Sequence, residues 1–237
     1  MALCRDLSVL AARQFQSEFG RPLKIADPMT GSGVRGLRYA AEVESIERVS
    51  LNDILPESTT VAYINSTLNR LEDKVDIQCL DANLFLNLHS TPGKRFNLID
   101  LDPYGSPAPY LDSAVRSLVD GGLLAMTATD MAVLCGVKSS ACLRKYGGRP
   151  LRCEYSKEIG LRLLIGALIS VAGRQGVAVK VKFSHSTDHY LRVYAMVIRS
   201  AREAANDIDK IGYIRHCFTC LSRSTSKGFV QVETCGR

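Results

Sequence analysis

Short apolar segments alternate with helical segments over the first 130 residues, and this alternation constrains the fold more than any other sequence feature. Each apolar segment ends at a glycine-rich turn or near an acidic residue, after which a helical pattern begins. The predicted strands are residues 23–26, 47–51, 75–80, 98–101 and 123–128. The predicted helices include one that begins at Asp6 and ends at about residue 19, and one over residues 108–119. Because strands that alternate with helices form parallel sheets covered on both faces, we predict an α/β fold.

The second half of the chain is predicted to complete this sheet. A long helix over residues 154–174 precedes two apolar strands, residues 177–184 and 190–199, which are close enough in sequence to pair as a hairpin. The prediction is a mostly parallel sheet of seven strands that ends in an antiparallel pair.

The fourth predicted strand stops at an unusual turn, Asp102-Pro-Tyr-Gly105. Pro103 lacks a backbone donor and Gly105 permits an uncommon backbone conformation. Asp102 is therefore expected at the carboxyl end of a strand, where open α/β sheets bind their ligands. We take Asp102 as the centre of a candidate active site. The alternatives are helix capping for Asp102 and ordinary turn packing for Tyr104.

A glycine-rich segment, residues 31–36, follows the first strand and formally matches the G-x-G-x-x-G pattern of dinucleotide-binding enzymes. Asp53 lies at the spacing that this pattern requires, so an NAD-dependent oxidoreductase is one alternative. Asp27 and Asp81 favour a ligand other than a dinucleotide. A carboxylate before the loop suits an ammonium group better than pyrophosphate, and Asp81 with Ala82 beside it suits an adenine amine.

Positive charge is concentrated in the middle of the chain. Residues 133–182 carry ten basic and two acidic side chains, whereas the whole chain has a net charge of +6. Such a density suits a surface that contacts phosphates, although a solvated face is the alternative. Its position just after the candidate active site favours nucleic acid as the partner.

Composition narrows the class of protein further. No run approaches the roughly 20 apolar residues of a membrane-spanning helix, and the first residues do not resemble a secretory signal. Eight cysteines spread over 237 residues do not suggest a disulfide framework. We expect a soluble protein of an intracellular, reducing compartment, with no membrane contact and no obligate protein partner.

Seven motifs follow one another along the chain. They are Arg5-Asp-Leu-Ser8, residues 30–40, Asn52-Asp53, Asp81-Ala-Asn83, residues 100–107, residues 127–136 and Asp188-His-Tyr-Leu-Arg192. Together they resemble the tRNA (guanine-26) N2-dimethyltransferase family over nearly the whole chain. The resemblance implies a Rossmann-like class I methyltransferase fold. It also implies transfer of one or two methyl groups from S-adenosylmethionine to the exocyclic N2 amine of guanine 26 in tRNA. A catalytically idle RNA-binding or cofactor-binding module is the alternative of a different class.

The resemblance also implies a set of site residues. The predicted cofactor contacts are Arg5, Arg35, Asp53, Asp81 and Ala82, with Asp27 near the ammonium group. The alternative for Arg35 is an exposed helix residue. Asp102 and the Pro103 carbonyl would accept the hydrogens of the guanine amine, and Tyr104 would stack on the base.

Substrate contacts are predicted from position and charge. Lys138, Arg144, Lys145 and Arg149 belong to the basic segment, and Asp130 ends the fifth strand, where it binds the guanine edge or simply caps a turn. His189 and Arg192 cluster with Asp188 at the final hairpin, where they could face RNA; a structural hydrogen-bonding role is the alternative for His189.

The carboxyl end departs from the family pattern. Members usually continue into a C-terminal domain, often with two Cys-x-x-Cys pairs suited to zinc. Here Cys217-Phe-Thr-Cys220 is complete, and Cys235 is a third weak candidate. We predict a methyltransferase domain over residues 1–204 and the start of a truncated C-terminal domain over residues 205–237. Bound zinc is not expected.

Overall fold

The computed structural model describes residues 2–228. The strands are β1 (Leu23–Asp27), β2 (Ile46–Asn52), β3 (Val75–Gln78), β4 (Phe96–Leu101), β5 (Leu118–Ala128), β6 (Val177–Thr187), β7 (Tyr190–Arg199), β8 (Tyr213–His216) and β9 (Arg223–Ser226). The helices are α1 (Ala2–Phe19), α2 (Val34–Glu42), α3 (Pro56–Leu68), α4 (Ala82–Leu88), α5 (Leu111–Ser117), α6 (Met131–Leu134), α7 (Ser139–Tyr146), α8 (Ser156–Arg174) and α9 (Ala201–Ile208).

Seven strands form one sheet in the order β3-β2-β1-β4-β5-β7-β6. The first five strands in this order are parallel, and β7 pairs antiparallel with both β5 and β6. The predicted fold class is confirmed. The chain order reverses between β1 and β4, so the carboxyl ends of these two strands flank the crevice in which open α/β sheets bind ligands.

Helices cover both faces of the sheet. Successive side chains of a strand point to opposite faces, so neighbouring residues of β4 enter different cores. Leu98 of β4 joins a core with residues of α1, α2 and α3, whereas Ile99 and Leu101 join a second core with residues of α4, α5 and α8. Asp100 lies on the Leu98 side of the sheet and is fully buried. A carboxylate is thus fixed inside the protein two residues before Asp102.

Two predicted boundaries were wrong. The helix predicted over residues 108–119 is a 3₁₀ turn followed by α5, and β5 begins at Leu118. Leu118 is fully buried and pairs with Phe96 of β4, so pairing with the sheet overrides the helical pattern. The first helix begins at Ala2 rather than at Asp6, which places Cys4 and Ser8 on its buried side.

The predicted domain boundary after residue 204 falls within α9. Ala204 is buried, and the Asp207 carboxylate accepts a hydrogen bond from Val179 N of β6 at 2.9 Å. Helix α9 therefore packs as part of the sheet domain, and the pair β8–β9 follows it. Among residues 2–228, no helix combines the length and apolar character needed to cross a membrane.

Candidate active site

The loop between β1 and α2 leaves space for a ligand. Gly31 and Gly33 have φ angles of 55° and 82°, which residues with a Cβ rarely adopt. A Cβ added to Gly31 would meet no atom of residues 2–228 within 4 Å. A ligand can therefore approach the backbone at Gly31 closely.

Asp27, the last residue of β1, organises this loop from inside. Its side chain is 1% exposed, and Oδ2 accepts hydrogen bonds from Thr30 Oγ1 at 2.9 Å and from Gly36 N at 3.2 Å. Burial, and then the nearby Asp100 carboxylate, raise the pKa of Asp27 to about 7. Its contact with a ligand's ammonium group stays a prediction.

Substitution of Gly36 by alanine is expected to lower the free energy of unfolding by about 1–3 kcal/mol. A Cβ at this position would lie 2.1 Å from Leu51 Cδ2 of β2, so the buried Leu51 side chain or α2 itself would have to shift. The matched control is Gly166→Ala in α8, where a Cβ meets no described atom within 4 Å. Chemical denaturation should show the control unchanged or stabilised by about 0.5–1 kcal/mol; equal effects of both variants would contradict the close packing.

Acidic residues follow β2 and β3, as predicted. Asp53 Oδ2 accepts a hydrogen bond from Gly31 N at 2.8 Å, which places this carboxylate against the glycine loop. Asp81 is exposed and caps α4, with Oδ1 accepting from Asn83 N at 2.9 Å, and Ala82 beside it is buried. The structure thus brings Asp53 and Asp81 to the same edge of the sheet as the loop.

Asn52 connects three segments of this edge. Its fully buried side chain donates from Nδ2 to the carbonyl oxygens of Pro28 at 2.9 Å and Leu80 at 3.0 Å, and Oδ1 accepts from Leu80 N. No separate role was predicted for this amide. Its place at the end of an apolar strand, next to Asp53, was the available signal.

Arg35 of α2 links the glycine loop to the Asp102 turn. Its side chain is 7% exposed, its Nη1 donates to Ser8 Oγ at 2.7 Å, and its Nη2 forms an ion pair with Asp102 Oδ2. The alternative of an exposed helix residue is therefore excluded for Arg35. Arg5 is half-buried on α1, one turn before Ser8.

A buried polar network supports the base of this turn. Both carboxylate oxygens of Asp100 accept hydrogen bonds from Arg192, at 2.8 and 2.6 Å, and Tyr39 Oη donates to Oδ2. Arg192 also donates to Thr127 Oγ1 at 2.7 Å and to Ser8 Oγ at 3.0 Å. Burial alone would raise the pKa of Asp100, but Arg192 and Arg35 outweigh it and hold the pKa below its usual range.

The predicted contact of Arg192 with substrate was wrong. The Arg192 side chain, on the third residue of β7, is 0% exposed, and Asp100, Thr127 and Ser8 accept its Nη hydrogens. Arg192 binds Asp100, which lies two residues before Asp102, and so supports the Asp102 turn from inside the protein. It lies inside the protein rather than on an RNA-facing surface.

The Asp102 turn is held open toward solvent. Gly105 has a φ of 94°, its amide donates to Thr129 Oγ1 at 2.8 Å, and its carbonyl accepts from Thr129 N at 2.8 Å. These two bonds tie the turn to the end of β5 while leaving the Tyr104 side chain fully exposed. Ordinary turn packing does not describe Tyr104, since the ring packs against nothing inside the fold.

A cleft of about 530 Å³ opens beside Tyr104. Its lining comes from the Asp102 turn, the end of β5 and the turn between β6 and β7: Tyr104, Gly105, Thr129, Asp130, Asp188, His189 and Tyr190. The predicted residues Tyr104, Asp130 and His189 are thus brought together. Its volume lies in the range of small-molecule sites, and Asp130, Asp188 and His189 contribute polar groups to the lining.

Asp130 belongs to a hydrogen-bonded group at the edge of the cleft. Its carboxylate accepts from Tyr146 Oη at 2.7 Å and from Lys145 Nζ at 3.0 Å, and Tyr146 Oη also contacts Ser106 Oγ at 2.6 Å. Burial raises the pKa of Tyr146, which therefore stays a neutral donor. Sequence analysis missed Tyr146, although Lys145 beside it was predicted.

The remaining basic candidates lie around α7. The side chains of Lys138, Arg144 and Arg149 are exposed, whereas Lys145 is half-buried in its ion pair with Asp130. Of these four residues, Lys145 places its positive charge directly against Asp130, at 3.0 Å. Their contact with substrate stays a prediction.

The structure tests only part of the predicted zinc set. Cys217 and Cys220 lie in the turn between β8 and β9, and Cys235 falls outside the described residues. Among residues 2–228, no three His, Cys, Asp or Glu side chains are grouped as metal ligands would be.

Comparison with known proteins gives a consistent result. A family model described as N2,N2-dimethylguanosine tRNA methyltransferase matches residues 1–237. A tRNA (guanine(26)-N(2))-dimethyltransferase of Methanothermobacter thermautotrophicus is 42% identical over 233 residues, which cover 98% of this chain and 60% of that protein. A tRNA (guanine(26)-N(2)/guanine(27)-N(2))-dimethyltransferase of Aquifex aeolicus is 37% identical over 224 residues, with 94% of this chain and 57% of that protein covered.

The structural comparison agrees. Trm1 from Pyrococcus horikoshii, solved in complex with S-adenosyl-L-methionine, superimposes with a TM-score of 0.89 and 33% identity; the match covers 98% of this chain and 64% of that one. The chain thus spans about 60% of the length of the curated relatives described above.

Proposed function

We propose that this chain, which belongs to the N2,N2-dimethylguanosine tRNA methyltransferase family, transfers methyl groups from S-adenosylmethionine to the N2 amine of guanine 26 in tRNA. The observation that carries the proposal is the Arg35–Asp102 ion pair, because it joins the glycine loop to the Asp-Pro-Tyr-Gly turn. One edge of the sheet thus carries a ligand-binding loop, a carboxylate and an exposed aromatic ring.

The residues of this edge fit S-adenosylmethionine. The open space at Gly31 admits an adenosyl group near the backbone. Asp53 faces the same loop and has oxygens suited to ribose hydroxyls, while Asp81 and the Ala82 amide suit the edge of adenine. Arg35, with Arg5 one turn before Ser8, offers a cationic partner for a carboxylate.

The Asp102 turn carries the acceptor groups that methylation of the guanine amine requires. Bound S-adenosylmethionine would provide the electrophilic methyl group. The Asp102 carboxylate and the Pro103 carbonyl accept the two hydrogens of the guanine N2 amine and so orient its lone pair. As the N–CH₃ bond forms and the S–CH₃ bond breaks, Asp102 takes the proton that N2 loses. Tyr104 stacks on the base, and Asp130 lines the same cleft.

The dinucleotide alternative has less support. The glycine pattern and Asp53 satisfy it, but the antiparallel β7 between β5 and β6 and the family match over residues 1–237 both favour methyl transfer. An intracellular, reducing compartment is part of this proposal, since tRNA and free thiols are both found there.

The proposal is tested with labelled S-adenosylmethionine and two tRNA transcripts that differ only by guanine or adenine at position 26. Calorimetry first establishes that the chain binds the cofactor. Label should enter the guanine transcript alone. Cofactor binding without label in either transcript would leave only a cofactor-binding module, and absence of cofactor binding would overturn the proposal.

Substitution of Tyr104 by alanine is expected to lower kcat/KM for tRNA by about tenfold, since stacking of one base on an aromatic ring contributes about 1–3 kcal/mol. Tyr104→Phe keeps the ring and should stay within about twofold of the parent. Because the side chain is fully exposed, neither variant should change the unfolding midpoint. Equal activity of the alanine and phenylalanine variants would contradict stacking.

A further inference from the structure

A second pocket lies at the opposite end of the sheet from Asp102. It has a volume of about 300 Å³ and is lined by Ser90, Arg95, Arg116, Arg174, Gln175 and Arg199. Arg95 immediately precedes β4, and Asp102 immediately follows it, so the length of that strand, roughly 20 Å, separates the two sites. None of the predicted cofactor or substrate residues lines this pocket.

Arg199, at the end of β7, is anchored on one side and unsatisfied on the other. Its Nη2 donates to the carbonyl oxygens of Leu118 at 2.8 Å, Arg116 at 3.2 Å and Val115 at 3.3 Å, which fixes the guanidinium against the end of α5. Its buried Nε has no hydrogen-bond partner within residues 2–228. Burial, and then the charge of Arg95, lower the pKa of Arg199. The guanidinium of Arg199 is therefore held near the like charge of Arg95, and its Nε–H has no acceptor within residues 2–228.

The other three arginines also retain free donors. Arg95 uses Nε to bind the Ser90 carbonyl at 2.9 Å, and Arg116 uses Nε to bind Asp112 Oδ2 at 2.7 Å. Arg174, exposed in the last turn of α8, makes no hydrogen bond or ion pair with the described residues. N–H groups of several guanidinium ions therefore remain available to one ligand.

Two carboxylates partly oppose this charge. Asp112 is committed to Arg116 and to Gln175, whose Nε2 donates to Asp112 Oδ1 at 2.9 Å, and Asp120 accepts from Arg199 N at 2.7 Å. Four arginines against two aspartates leave an excess of positive charge in the pocket. A neutral or cationic ligand would not neutralise this excess positive charge, whereas an anion would.

We propose that this pocket binds a phosphate group. Planar guanidinium ions pair with phosphate oxygens in bidentate fashion, and several of them around one phosphate give both affinity and orientation. A phosphate bound by the free donors of Arg95, Arg116 and Arg174 would screen Arg95 from Arg199. The site needs no S-adenosylmethionine and stands independently of methyl transfer. The phosphate can belong to an RNA backbone or to a free phosphate compound, and the two are separated below.

The first arm of the test measures inorganic phosphate binding to the whole chain by calorimetry at constant ionic strength. Arg174→Gln and Arg95→Gln should each weaken binding by about tenfold. Arg174 makes no internal bond that the substitution could break, so its variant should fold as the parent does. Arg202→Gln, an exposed arginine outside the pocket, is the matched control and should bind as the parent does.

The second arm measures how tRNA affinity depends on salt for the same variants. A slope of log K against log salt that falls by about one unit in Arg174→Gln, but not in Arg202→Gln, identifies the phosphate as part of RNA. An unchanged slope together with weakened phosphate binding identifies a free phosphate compound. Absence of saturable phosphate binding by the parent up to about 10 mM, or equal binding by all variants, would overturn the proposal.

Discussion

Substitution of Arg192 by methionine is expected to lower the free energy of unfolding by about 3–5 kcal/mol. The Asp100 carboxylate, 0% exposed, would lose both hydrogen bonds from Arg192 and retain only part of its compensation, from Tyr39 Oη and from Arg35 Nη1 at 3.5 Å. Thr127 and Ser8 would each lose a donor as well. Most domains have a free energy of unfolding of only about 5–15 kcal/mol, so this loss should lower the midpoint of chemical denaturation strongly.

The control for this variant is the double substitution Asp100→Leu with Arg192→Met. Replacing both members of a buried ion pair by apolar residues removes the unpaired charge, so the double variant should recover part of the lost stability. A single Arg192→Met variant within about 1 kcal/mol of the parent would contradict the buried ion pair.

Substitution of Asp102 by asparagine is expected to lower kcat by about 10³-fold while cofactor affinity changes little, because a positioned general base contributes about 10²–10⁴-fold. Asparagine keeps the size of the side chain and one acceptor oxygen. It cannot take the proton that the guanine amine loses. Single-turnover methyl transfer at saturating cofactor measures this step directly.

Asp73→Asn is the matched control for this variant, since Asp73 is exposed and remote from the carboxyl edge of the parallel strands. It should retain full activity. If Asp102 served only as a cap, Asp102→Asn would keep its stability, since asparagine caps as well as aspartate, and would keep more than about a tenth of kcat; the assigned chemistry would then be wrong.

The sequence was sufficient to predict the architecture, because the parallel strands are buried on both faces and stand out as apolar runs. The ends of those runs also located Asp27, Asp53, Asp81 and Asp102. Local patterns did not predict the secondary structure of residues whose state depends on pairing with a distant strand. Leu118 continues a helical pattern, yet its pairing with Phe96 of β4 makes it part of β5.

Arg192 shows the same limit within the site. Next to Asp188 and His189 it suggested an RNA-facing cluster, but it lies between Leu191 and Val193 in a strand buried on both faces. A single charge inside such an apolar strand was the signal for an internal ion pair. Its partner Asp100 is 92 residues away in sequence, and only the folded sheet brings the two together.

The central claim is that the Asp102 turn acts on the exocyclic amine of guanine. Its most direct test compares tRNA with guanine at position 26 against tRNA with inosine there, which lacks only that amine. Mass spectrometry of the nucleosides should show N2-methylated guanosine in the first tRNA and no methylated product in the second. Equal methylation of both tRNAs would show that another atom receives the methyl group and would contradict the account.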